Sequence, residues 1–177
     1  MKKNVLVFGS ISGLIITALM VISTMLCYKS SNFEGSMLIG YASMLIAFSF
    51  IFVGIKNYRD KYNNGVITFG KAFKVGLFIA LISSTFYVVT WLIEYYAFMP
   101  DFMEKYSEHV LNQAKTSGAS AAELAKQTAE MEGYKEMYKN PIFVILLTYS
   151  EVFPLGIVIS LIAAAILRKK EKPGVLA

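Results

Sequence analysis

Long apolar runs alternate with polar connections along this chain. Four runs stand out, at 4–27, 36–55, 72–97 and 141–167. Each reaches the roughly 20 residues a helix needs to cross a hydrocarbon core of about 30 Å. The acids within them are Glu94 and Glu151. The pattern predicts four transmembrane helices. The first run opens like a signal peptide, with Lys2 and Lys3 ahead of apolar residues. An h-region usually spans about 7–15 residues, whereas this run continues to Cys27. No small-x-small cleavage site closes it, and the large Leu26 argues against lipoprotein cleavage at Cys27. It is read as an uncleaved first span.

The connection at 98–140 is too long for a simple loop. Pro100 can start a helix, with Asp101 and Glu104 in its first turn. Phe102, Tyr106, Val110 and Ala114 follow at a helical interval, and Ser117-Gly118 stops it. Ser120-Ala121-Ala122-Glu123 fits a capping box for a second helix, on which Leu124, Met131 and Tyr138 recur. Lys139-Asn140-Pro141 marks a break or the start of the fourth span. The expected fold is an all-α integral membrane protein. It is a four-helix bundle forming a single membrane domain over 1–177, with a helical hairpin inserted at 98–140 between spans three and four.

Composition agrees with the runs. The chain is 56% hydrophobic and 16% charged, against about 45–50% and about 25% for a soluble domain. The charge is unevenly spread. Lys2 and Lys3, then Lys56, Arg59, Lys61, Lys71 and Lys74, then Arg168, Lys169, Lys170 and Lys172 form basic clusters. The first connection has Lys29 with Glu34 nearby, and the third is net acidic. The positive-inside rule therefore predicts cytoplasmic termini, a cytoplasmic second connection and an extracytoplasmic hairpin. The net charge of +5 largely reflects this asymmetry. Attraction to anionic headgroups, about 1 kcal/mol per basic residue near the surface, accounts for it without nucleic acid.

Chemistry-bearing motifs are sparse. Cys27 is the single cysteine and His109 the single histidine, so neither an intramolecular disulfide nor a mononuclear zinc site is expected. The spans lack a Ser/His pair and an HExxH motif. No metal, cofactor or enzymatic activity is expected.

Small residues let helices approach closely in lipid. They recur at four-residue steps: Gly9, Gly13, Thr17; Ser36, Gly40; Gly76, Ala80, Ser84; Gly156, Ser160, Ala164. Packing within one bundle explains these stripes; a homodimer or another membrane protein could use extra ones. Ser83, Tyr87, Thr90 and Glu94 share a second, polar side of the third span. That side should face other helices or water. At about 1.5 Å per residue, Glu94 lies roughly 30 Å above Lys74, and Glu151 roughly 25 Å above Arg168. Both acids reach the outer boundary, level with the aromatic belt of Trp91, Tyr95, Tyr96 and Tyr149. Two readings follow. They are shallow boundary residues, or they share a cavity that binds a proton, a cation or a basic ligand. Glu151 stands about 180° from Ser160 on an ideal helix. Either Pro154 resets the register, or the small-residue stripe packs against a different neighbour.

The segment "GIKNYRDKYNNGVITFGKAFKVG", 54–76, with the polar hairpin before "NPIF" and the basic tail, resembles the bacterial four-span membrane proteins grouped as domain of unknown function 4199. The most specific part is Gly65-x-Ile67-Thr68-Phe69-Gly70-Lys71. The resemblance implies a multi-pass protein of the bacterial inner membrane and brings no known activity. Physically, the motif reads as a cytoplasmic interfacial turn that re-enters the membrane. Gly65 and Gly70 permit tight turns, Phe69 and Phe73 sink into the interface, and Lys71 and Lys74 stay with the headgroups. A docking site for a cytoplasmic partner is the alternative.

The leading functional expectation is a non-enzymatic scaffold or accessory subunit in the lipid bilayer. The alternative is a small proton- or cation-coupled transporter using Glu94 and Glu151, although no internal repeat of the kind common in transporters is evident.

Overall fold

The structure is a computed structural model, and it describes residues 1–30, 33 and 36–170. Glu34 and Lys172, used in the charge argument, lie outside the described residues. Six α-helices follow in order among the described residues: α1 (Lys2–Ser30), α2 (Ser36–Tyr62), α3 (Phe69–Ile93), α4 (Phe102–Thr116), α5 (Ala121–Tyr138) and α6 (Pro141–Leu167). No strand occurs among the described residues. Helices α1, α2, α3 (extended to Phe98) and α6 are each long and apolar enough to span a membrane. Their outward faces carry Leu6, Leu14, Leu38, Ile142 and Ile166, all exposed. In lipid this is the favoured arrangement, because the backbone bonds of a helix are satisfied internally. The protein is a four-helix integral membrane bundle with a two-helix hairpin.

Local signals set the helix boundaries. The Thr68 side chain accepts a bond from Lys71 N–H and caps α3. Asn140 caps α6 by accepting from Ile142 N–H, with Pro141 in the first turn, where its missing N–H costs nothing. Gly118, at φ +79°, ends α4, and Ser120 and Glu123 form the reciprocal capping box of α5. The first hairpin helix starts later than Pro100 suggests: Asp101 is its N-cap, without a side-chain capping bond. The third span also ends differently. After Ile93 the chain widens into a π-turn, Glu94–Phe98. Met99 N–H bonds the Glu94 carbonyl, five residues back, at 2.9 Å.

Helix α3 is central and packs against α1, α2 and α6. Small residues make this possible. A Cβ at Gly76 would come within 2.9 Å of Ser160 Oγ, and one at Gly156 within 2.7 Å of the Ala80 Cβ. Gly9 and Gly13 similarly meet Ile82 and Phe86. These stripes are internal seams. Gly40 differs, with nothing within 4 Å. Side chains bond across the seams: Ser12 Oγ donates to Ala47 O at 2.8 Å, and Ser83 Oγ to Gly9 O at 3.2 Å.

At one end, the loop end, the α2–α3 connection meets both termini of the bundle. Asn4 Nδ2 donates to Asn57 Oδ1 at 3.0 Å. Arg59 Nη1 donates to the Leu167 carbonyl at 3.2 Å, satisfying an orphan acceptor at the end of α6. Ile67 and Lys169 exchange both backbone bonds at 2.9 Å. Gly65 takes φ +76°, a turn that favours glycine. Gly70 does not serve a turn. It lies in the first turn of α3, in open space. Phe69 and Phe73 stack at 6.4 Å, and Lys71 Nζ bonds Asn63 Oδ1 at 2.6 Å.

The hairpin closes the opposite end. Phe102 meets Trp91 edge-on at 5.1 Å, and Tyr138 meets Tyr95 at 5.2 Å. Tyr96 OH donates to Tyr138 O at 2.8 Å. Phe33, between α1 and α2, packs against Phe102, Tyr106 and His109. A polar clamp adds to these contacts. The Tyr28 hydroxyl donates to Asp101, and Lys105 Nζ sits 3.8 Å above the Tyr28 ring while pairing with Asp101 at 3.2 Å. The Tyr28 bond, then Lys105, hold the Asp101 carboxyl below the usual range.

Candidate functional site

Below the hairpin, the hairpin-end halves of the spans enclose a partly open cavity of about 470 Å³. Helix α1 contributes Ile16, Met20, Ser23, Thr24 and Cys27; α2 contributes Gly40, Tyr41, Ser43 and Met44. Tyr87 and Trp91 come from α3, and Leu147, Thr148 and Glu151 from α6. The roof is aromatic, with Phe102 and Tyr106 from α4 and Tyr134 and Tyr138 from α5. Gly40, facing open space, removes bulk where the other small-residue stripes close the helices together.

Glu151 is the sole charged residue lining this cavity among the described residues. It is exposed, on a helix whose neighbouring Thr148 and Val152 are buried. Its position resolves the register question. The buried stripe on α6 runs Val144, Thr148, Val152, Gly156, Ser160 and Ala164. Each four-residue step overshoots one turn by about 40°, so the stripe spirals around α6. Glu151 is far from Ser160 in angle yet only about 60° from Thr148. No reset at Pro154 is needed. Tyr138 is close enough to feel this carboxylate: burial, then the Glu151 charge, push its phenol above its ordinary range, while a bond with Trp91 opposes the shift.

Glu94 has a different environment. It is 3% exposed and opens the π-turn, a distortion often found at functional sites. Thr24 Oγ1 stands 3.2 and 3.1 Å from its two carboxylate oxygens. Thr24 lines the cavity, whereas Glu94 does not. Glu151 lines the cavity itself, whereas Glu94 is tied to it through the Thr24 hydroxyl.

The remaining residues of the polar face of α3 separate by depth. Ser83 is buried and joins α3 to α1 through Gly9. Thr90 is half-buried, and its carbonyl accepts from Glu94 N–H. Of the four, only Tyr87 lines the cavity. The Gly65, Phe69, Gly70 and Lys71 motif lies at the loop end and takes no part. Sequence reasoning missed Thr24, Tyr41, Ser43, Thr148 and Tyr138. A signal existed for Thr24: counted from Lys3 at about 1.5 Å per residue, it reaches roughly 30 Å, the height of Glu94.

Chemically, the cavity offers one carboxylate, several hydroxyls and many aromatic faces. No cluster of three metal-ligating side chains occurs among the described residues. Comparison with curated proteins and with solved structures gave no match. A family profile matches residues 7–169, nearly the whole chain. By that match the chain belongs to the family described as protein of unknown function (DUF4199).

Proposed function

We propose that the protein is a non-enzymatic binding subunit of a bacterial cytoplasmic membrane that holds a small ligand in its hairpin-end cavity. The carrying observation is asymmetry along the bundle axis. Near the hairpin the spans part around about 470 Å³, within the roughly 300–1,000 Å³ typical of ligand sites. Farther from the hairpin, Gly76 and Gly156 bring α3 and α6 to near backbone contact. A cavity closed at one end supports holding a ligand more than conducting one. The coupled-transporter reading draws less support, since only one of its two acids lines the cavity.

The basic clusters orient the bundle. Lys56, Arg59, Lys61, Lys71 and Lys169 belong with the loop end, where Arg59 and Ile67 bond the end of α6. The positive-inside rule puts that end and both termini in the cytoplasm, with anionic headgroups as the partners of the basic residues. The cavity and its roof then face outward. Native mass spectrometry of protein released from nanodiscs tests the binding reading. Wild type should carry a small-molecule adduct, and Ser43→Phe, which fills the cavity, should lose it while remaining folded. Wild type free of adduct, or one unaffected by filling, would contradict it.

A further inference from the structure

We infer that the cavity selects an organic cation with an apolar body, such as a substituted ammonium. This rests on the cavity being a ligand site, and it names the ligand's chemistry.

Charge is the first argument. Glu151 is the only charged residue lining the cavity among the described residues, with no Lys or Arg beside it. An ionised carboxylate partly withdrawn from water needs a counter-charge or hydrogen bonds. The residues around it supply rings and hydroxyls, and the Tyr138 phenol lines the same cavity, close enough to feel the Glu151 charge. A ligand cation would complete the site.

Ring placement is the second. Tyr41, Tyr87, Trp91, Tyr106, Tyr134 and Tyr138 line the same space from four helices. Aromatic faces attract cations within about 6 Å of the ring centroid, and aromatic cages are a recurrent device for alkylated ammonium groups. This chain uses the contact elsewhere, with Lys105 Nζ 3.8 Å above Tyr28. Several rings and one carboxylate suit a weakly hydrated organic cation. They suit a calcium or magnesium ion poorly, because such ions need six or more oxygen ligands. The volume agrees, since 470 Å³ far exceeds an inorganic ion.

Trp91 provides the readout. It is the only tryptophan in the chain and lines the cavity. The protein in nanodiscs is titrated with phenyltrimethylammonium and with its neutral carbon isostere, tert-butylbenzene. Concentrations are corrected for partitioning into protein-free nanodiscs. The cation should change Trp91 fluorescence saturably and bind at least about tenfold more tightly than the isostere. Glu151→Gln should remove that preference while leaving the isostere's affinity unchanged. Lys61→Ala, at the loop end, should change neither. Equal binding of cation and isostere, with Glu151→Gln silent, would overturn the cation assignment and leave the ligand site standing. Failure of both compounds to reach Trp91 would overturn both. If Glu151→Gln disturbs the fold, a competing anion, benzenesulfonate, decides the case in wild type: anion binding as tight as the cation's contradicts the assignment.

Discussion

Thr24 Oγ1 bridges to a carboxylate on another helix, 70 positions away in sequence, at 3.1 and 3.2 Å. Glu94 was legible as an acid at the end of an apolar run, and its height followed from counting. Its partner was not, because nothing in one sequence says which hydroxyl of α1 turns toward α3. Glu151 was legible in the same way, but its direction was ambiguous until the spiral of the buried α6 stripe was seen. Removing a donor from a buried carboxyl group leaves that group unsatisfied, at about 1–3 kcal/mol. Thr24→Val should therefore destabilise the protein by about that amount, and Thr24→Ser should recover much of the loss. Reversible unfolding in mixed micelles measures both. Wild-type stability for Thr24→Val would mean that the bond contributes nothing.

Helices were easier to read than the contacts between them. The span pattern needs only apolar length, the α5 start needs only Ser120 and Glu123, and the α4 stop needs only Gly118. The π-turn at Glu94–Phe98 had no such signature. It arises where α3 leaves the bundle for the hairpin, a tertiary demand. The small-residue stripes were also visible, but four stripes do not say which seam each one closes. Structure assigns Gly76 and Gly156 to the α3–α6 seam and leaves Gly40 on the cavity wall. Overpacking a tight seam typically costs about 1–3 kcal/mol. Gly76→Leu should lower stability by at least that range, because its Cβ already meets Ser160 at 2.9 Å. Gly40→Leu should be tolerated, filling space that is empty. Unfolding titrations of the pair make the comparison. Equal losses would show that Gly40 also lies in a seam.

At the scale of the whole molecule, a closed half and a parted half give the bundle a direction. Charge gives it another, and in the proposed orientation the two coincide. In that orientation the basic loop end faces the cytoplasm, and the cavity opens toward the outside. The sequence carried the charge asymmetry plainly. It offered a cavity only as one of two readings of the acids, and did not show that the space lies beside Gly40 of α2 beneath an aromatic roof. Labelling intact cells with a membrane-impermeant thiol reagent tests this directly. Native Cys27 is half-buried and lines the cavity. In a Cys27→Ser background, Lys115→Cys reports on the hairpin and Lys61→Cys on the loop end, both at exposed positions. Wild type and Lys115→Cys should label in intact cells, and Lys61→Cys should label only after permeabilisation. Labelling of Lys61→Cys in intact cells, with wild type and Lys115→Cys protected, would contradict the proposed orientation.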